Sequence, residues 1–201
     1  MPAGRRAGAS NTRVEILDAA RAAFAARGYD AVSLRSIARD AGVDPALVHH
    51  FFQTKPRLFA AAMELPVDPR SVVTGLLSGD PDTLGERLVR ALVELWDSPD
   101  VFPGFLGLIR GAVSHEDAAR LLREFVTREI LGPIASAAAP DAPEARAALV
   151  GSQIVGLAMA RKVVEIEPLA NADPSWLAAA IGPTVQRYLF APLPRGVNAE
   201  G

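Results

Sequence analysis

An all-α chain is what this sequence predicts, and three observations predict it. Apolar residues recur at helical spacing along most of the length. Pro, Gly, Asp and Ser divide that pattern into segments of helix length. No segment shows the strict alternation of a half-buried strand, and no internal repeat emerges. Half of the 201 residues are hydrophobic, which is ample material for a core.

Residues 1–11 read as a flexible basic arm, with Arg5 and Arg6, and then Arg13, placed to follow a phosphate backbone or reach into a minor groove. Thr12 and Glu15 form a capping-box pattern. The helix that follows turns Ile16, Leu17, Ala20, Ala23 and Phe24 inward and ends at Gly28. Ser33 can cap a second helix with Leu34, Ile37, Ala38 and Ala41 on one face. Gly42 can take the left-handed conformation that stops a helix, and Val43 fits the corner. Asp44 then caps a third helix with Pro45 at its first position, where a missing N–H costs nothing. Leu47, Val48 and Phe52 are expected to face inward, leaving Pro45, Ala46, His49 and His50 outward. Helix, short glycine turn and helix make a helix-turn-helix, although the same spacing suits an ordinary hairpin in a core. Residues 44–51 would span about 12 Å, comparable with the width of the major groove.

Thr54 and Lys55-Pro56 open a connecting helix over 55–65 whose inner face is Leu58, Phe59, Ala62 and Met63. Lys55 is one of two lysines among 21 basic residues, and at a helix start it can offer its ammonium beside free backbone N–H groups to a phosphate. Leu65-Pro66-Val67-Asp68-Pro69 is a break. Further helices are expected over 69–77, 82–97, 103–113, 115–138, 142–166 and 174–190, with a frayed tail from 192 to 201. The domains implied are a DNA-binding unit over 12–54 and a larger helical unit over 55–191.

Charge is unevenly placed. Residues 1–60 carry nine Lys/Arg against five Asp/Glu, whereas the rest carry twelve against eighteen. A basic face on an acidic body suits a phosphate partner. The chain lacks an apolar run long enough to span a bilayer and a signal-peptide core, so no membrane partner and a cytoplasmic location are expected. It has no cysteine, no phosphate loop, no metal-binding His-Glu-x-x-His and no nucleophile elbow. Adjacent His49 and His50 do not share a helix face, which argues against a metal centre. No catalytic residue, metal or cofactor is expected, and the chain does not read as an enzyme.

Residues 12–65 resemble the N-terminal domain of the TetR family of transcriptional regulators. The resemblance runs through Ile16-Leu17-Asp-Ala-Ala, Phe24-Ala-Ala-Arg-Gly28-Tyr29, Ser33-Leu-Arg-Ser-Ile37-Ala38, Ala41-Gly42-Val43 and Phe52-Gln-Thr-Lys55. It implies a ligand-responsive repressor that works as a homodimer on a palindromic double-stranded operator. Arg35, Asp44, Pro45, Ala46, His49, His50, Thr54 and Lys55 would then face DNA, with Lys55 on the backbone. Imidazoles near phosphate gain from protonation, so affinity should rise as pH falls from 8 to 6.

Two later helices look suited to a partner. Gly151, Ser152, Gly156 and Ala160 stand amid bulky residues and permit close helix approach, and the last helix offers Trp176, Leu177, Ala180, Ile181, Val185, Tyr188 and Leu189. Burial within one monomer fits the pattern equally, whereas the resemblance implies a four-helix dimer interface. It also implies a small-molecule pocket in the middle segment. Trp96, Phe102, Phe105, Ile109, Leu122, Phe125 and Met159 are the apolar candidates, and Arg110, His115 and Gln153 the polar ones; each apolar residue alone also suits plain core. The competing reading is a helical small-molecule binding protein without specific DNA binding.

Overall fold

Helices make up the regular structure of the described residues, which in this computed structural model are 4–65, 68–99, 101–139 and 141–194. In chain order they are α1 Gly4–Arg27, α2 Leu34–Asp40, α3 Pro45–Phe52, α4 Lys55–Ala62, α5 Pro69–Leu77, α6 Leu84–Asp97, α7 Phe102–Ser114, α8 Glu116–Val126, α9 Gly132–Ala138, α10 Pro143–Lys162 and α11 Pro174–Phe190. No strand occurs among the described residues, so the all-α reading holds.

The chain forms two compact units, Met1–Pro69 with Pro103–Phe125, and Arg70–Phe102 with Val126–Gly201. In the first, Ile16, Ala20, Phe24, Ile37, Val48, Phe52, Leu58 and Phe59 are buried as a common core. Phe24, Tyr29, Phe59 and Phe125 pack ring against ring with centroids 4.3–5.8 Å apart. Glu124 of α8 accepts hydrogen bonds from the backbone N–H groups of Tyr29 at 2.7 Å and Asp30 at 3.1 Å. Those contacts bring Pro103–Phe125 into the unit that holds the short N-terminal helices, whereas a boundary at 54/55 would put this segment with the second domain.

The second unit rests on the crossing of α6 and α11. A Cβ on Gly85 would lie 2.4 Å from the Gly182 carbonyl oxygen, and one on Gly182 would lie 2.7 Å from Glu86 Cα. Only two glycines let the backbones meet this closely. Gln186 fastens the crossing by accepting from Gly85 N–H at 2.7 Å and donating to the Pro81 carbonyl at 2.8 Å. Two buried arginines tie distant ends together. Arg146 donates to the carbonyls of Tyr188, Leu189 and Ala191 at the end of α11, and to both the carbonyl and the carboxylate of Asp141. It thereby satisfies carbonyls that a helix end leaves without partners. Arg161 pairs with Asp97 at 2.8 Å and also bonds the Leu169 carbonyl.

Several sequence expectations change. Helix α1 begins at Gly4, ahead of Thr12, and no proline interrupts the run between them. Thr12 therefore lies inside α1 and does not cap it. Residues 1–3, 66, 67, 100, 140 and 195–201, and the side chains of Arg5 and Arg6, lie outside the described residues. The single helix expected over 115–138 is interrupted by a π turn at Thr127–Leu131. Pro133 has no N–H for the Glu129 carbonyl and its ring crowds that carbonyl, so the ladder widens and Gly132 N–H bonds Thr127 instead. Helix α10 stops at Lys162, four residues before the expected 166. The chain unwinds through the exposed, β-branched Val163 and Val164, and Glu165 takes a φ of +54°.

Candidate nucleic-acid interface

The turn between α2 and α3 is set by side chains close in sequence. Ser33 and Ser36 form a reciprocal capping box at the start of α2, with bonds of 3.1 and 3.0 Å. At its end, Gly42 has φ +67°, its N–H bonds the Arg39 carbonyl, and Val43 N–H bonds the Ala38 carbonyl at 2.9 Å. That pair of bonds is a Schellman motif. A Cβ on Gly42 would meet nothing within 4 Å, so backbone conformation alone is what calls for glycine there. Asp44 then accepts from Ala46 N–H at 2.7 Å and caps α3.

This clamp presents α3 with Val48 and Phe52 buried and Pro45, Ala46, His49 and His50 exposed. Leu47, expected inward, is 40% exposed. On an eight-residue helix the buried stripe is narrow. Leu47 stands about 100° around the axis from Val48, and about 140° from Phe52. Arg35 and Arg39 are exposed on α2, and Arg13 of α1 is exposed with its guanidinium 5.4 Å from the Phe52 ring centroid.

Thr54 caps α4 by accepting from Arg57 N–H at 3.4 Å. The Lys55 ammonium sits 4.2 Å from the Tyr29 ring centroid and donates to the Asp30 carbonyl at 3.4 Å. Half-buried Lys55 is thus anchored on the loop after α1, the same loop that Glu124 holds. Asp40 accepts from Arg27 at 2.7 Å, and this bond holds its carboxyl below the usual range.

The residues expected at an effector pocket fall in both units. Ile109, Arg110, His115, Leu122 and Phe125 belong to the first, and Trp96, Phe102, Gln153 and Met159 to the second; Phe105 belongs to the first. The side chains of Phe102 and Phe105 lie outside the described ones. The Phe125 ring packs against Phe59 and Tyr29 in the first unit's core. Trp96 is buried at 1% exposure and Ile109 is also buried, while Arg110 and His115 are exposed. A cleft of about 340 Å³ in the second unit is lined by Arg161, Lys162, Glu165, Glu167, Ala170 and Asn171, none of them an expected pocket residue.

Among the expected interface residues, Val185 stands apart. It is fully buried in its own unit, because the crossing at Gly85 and Gly182 turns that face of α11 inward. A Cβ on Gly151 would lie 3.0 Å from Leu131 Cδ1 of the same unit, so that glycine faces its own core. Ser152, Gly156 and Ala180 are exposed, and Ala160, Ile181 and Tyr188 are half-buried. No group of His, Asp and Glu among the described residues could hold a metal ion, and no helix among them is long and apolar enough to cross a membrane.

Comparison with known proteins covers both units. The family model described as "Bacterial regulatory proteins, tetR family" matches residues 16–62, and the one described as "Tetracyclin repressor-like, C-terminal domain" matches residues 82–189. The chain is 31% identical over 125 residues to the HTH-type transcriptional regulator BetI of Brucella anthropi, an alignment covering 58% of this chain and 62% of that protein. It is 45% identical over 120 residues to BetI of Brucella abortus, covering 58% and 61%. The chain thus spans about six tenths of the length of these curated relatives. A solved TetR-family regulator from Streptomyces coelicolor A3 is 39% identical, with 92% of this chain and 98% of that one covered and a TM-score of 0.47.

Proposed function

The chain belongs to the tetR family of bacterial regulatory proteins, and from that premise we propose that it is a sequence-specific DNA-binding regulator of transcription. The observation that carries the reading is α3 itself. It is held by a Schellman turn and an Asp44 cap, with Pro45, Ala46, His49 and His50 exposed along one side, inside the segment that matches the family. A helix so presented fits the major groove, with Arg13 and Arg35 available to phosphates. Lys55 contributes through its place at the start of α4, whose N-terminus suits a phosphate, while its ammonium rests on the Tyr29 ring and the Asp30 carbonyl close by.

Repression is the expected sign, with release of a palindromic operator when a small apolar effector binds. A palindrome asks for two copies held about 34–36 Å apart, so the active form is a homodimer. Exposed Ser152, Val155 and Gly156 on α10, with Trp176 and Ala180 on α11, support that role for these helices. The effector acts by binding more tightly to a state in which the α3 helices are wrongly spaced.

The test is a selection of genomic fragments on the immobilised protein, followed by a nuclease footprint of the retained fragment. Two protected segments about one helical turn apart are expected, lost on His49→Ala and weakened on Lys55→Ala. Retention of DNA without regard to sequence would refute the reading.

A further inference from the structure

Within Pro45–Phe52 there is no Arg, Lys, Asn or Gln, so the bidentate pairings that read guanine or adenine are not open to α3. Its polar groups are two imidazoles. At 100° per residue, Ala46 and His50 lie opposite the buried Val48 and Phe52, with His49 on one flank and Leu47 on the other. Ala46 and Leu47 are exposed apolar residues on the side of α3 away from His49, and the Asp44 carboxylate at the start of the helix is engaged by Ala46 N–H. Leu47 is 40% exposed, whereas its neighbour Val48 is fully buried. Arginines 13, 35 and 39 are exposed on α1 and α2 of the same unit, a charge pattern that suits a polyanion.

The apolar feature of the major groove is the C5-methyl group of thymine, and aliphatic side chains read it by contact. Resting on the DNA-reading role proposed above, we infer that Leu47 is a specificity-determining residue that packs against a thymine methyl. Ala46 lies beside it, so that A·T pairs in each half-site are chosen by methyl contact more than by hydrogen bonds. Pairing of the exposed leucine with another protein surface is the alternative that the test separates.

The probe is the fragment retained in the genomic selection, prepared with each thymine replaced in turn by deoxyuridine, which removes one methyl group and leaves base pairing intact. Wild-type protein should lose affinity about three- to fivefold at one or two thymines of each half-site. Leu47→Ala, which keeps helix propensity and gives up only the buried part of one side chain, should bind the thymine and deoxyuridine forms equally, and Leu47→Met should restore the difference. If Leu47→Ala binds too weakly to compare, Leu47→Ser, which also removes the aliphatic side chain, carries the same comparison. Wild-type indifference to every deoxyuridine overturns the inference, as does a methyl effect that survives Leu47→Ala. A change of oligomeric state with DNA affinity intact also overturns it. If the wild type retains no specific fragment, the DNA-reading role itself fails, an outcome distinct from the other three.

Discussion

Both units use local caps and long-range contacts, since Glu124 reaches Tyr29 in the first and Asp173 caps α11 in the second, but they differ in how many helices each kind sets. In the first, α2, α3 and α4 are each started by a Ser, Asp or Thr that bonds a backbone N–H two or three residues on. In the second, the decisive contacts join residues far apart in sequence, such as Gly85 with Gly182 and Arg146 with Tyr188. Local caps place a short helix at a defined angle without a large core behind it, which is what a surface helix that meets a ligand needs. Long-range clamps hold long helices in register against one another.

That contrast can be broken most severely at the α6–α11 crossing. Gly182→Val would drive a branched side chain into Glu86 backbone, and no flexible neighbour can yield. Urea unfolding should show a loss of about 3 kcal/mol. An unchanged midpoint would mean that the backbones do not touch. In the first unit the largest long-range contact is Glu124 on the N–H groups of Tyr29 and Asp30. Glu124→Ala should cost about 1–2 kcal/mol and speed amide exchange at those two residues, leaving exchange in α11 unchanged.

The smallest effect is in acid. Burial works to raise the Asp97 carboxyl, and the bonds from Arg161 and Lys162 outweigh it and hold the group below its ordinary value. A depressed carboxylate adds stability above its unfolded pKa and loses it as pH falls through the folded one. The second unit should therefore weaken as pH drops below about 4. Asp97→Asn should flatten that limb in a pH series of melting temperatures, while lowering stability at neutral pH.

The same contrast explains what could be read in advance. Caps and turn glycines signal within a few residues, so Ser33, Gly42, Asp44 and Thr54 were legible, as were both ends of α5 and α11. Leu47 was misplaced because hydrophobicity says what a side chain prefers, whereas the direction in which the partner helix lies decides which of two adjacent residues is buried. The crossing at Gly85 and Gly182 hid Val185 for the same reason. Burial of Arg146 and Arg161 had no local signal, since their partners lie up to 64 residues away. The π turn did have one, in Gly132-Pro133, a pair that a straight helix cannot absorb.

The most direct measurement is the ratio of affinities for the selected fragment and for a scrambled fragment of equal length, taken at one fixed salt concentration. A specific reader should favour the selected fragment by about a thousandfold or more, with the margin cut sharply by His49→Ala. A ratio near one, unmoved by that substitution, would contradict the assignment of α3 as a DNA-reading helix.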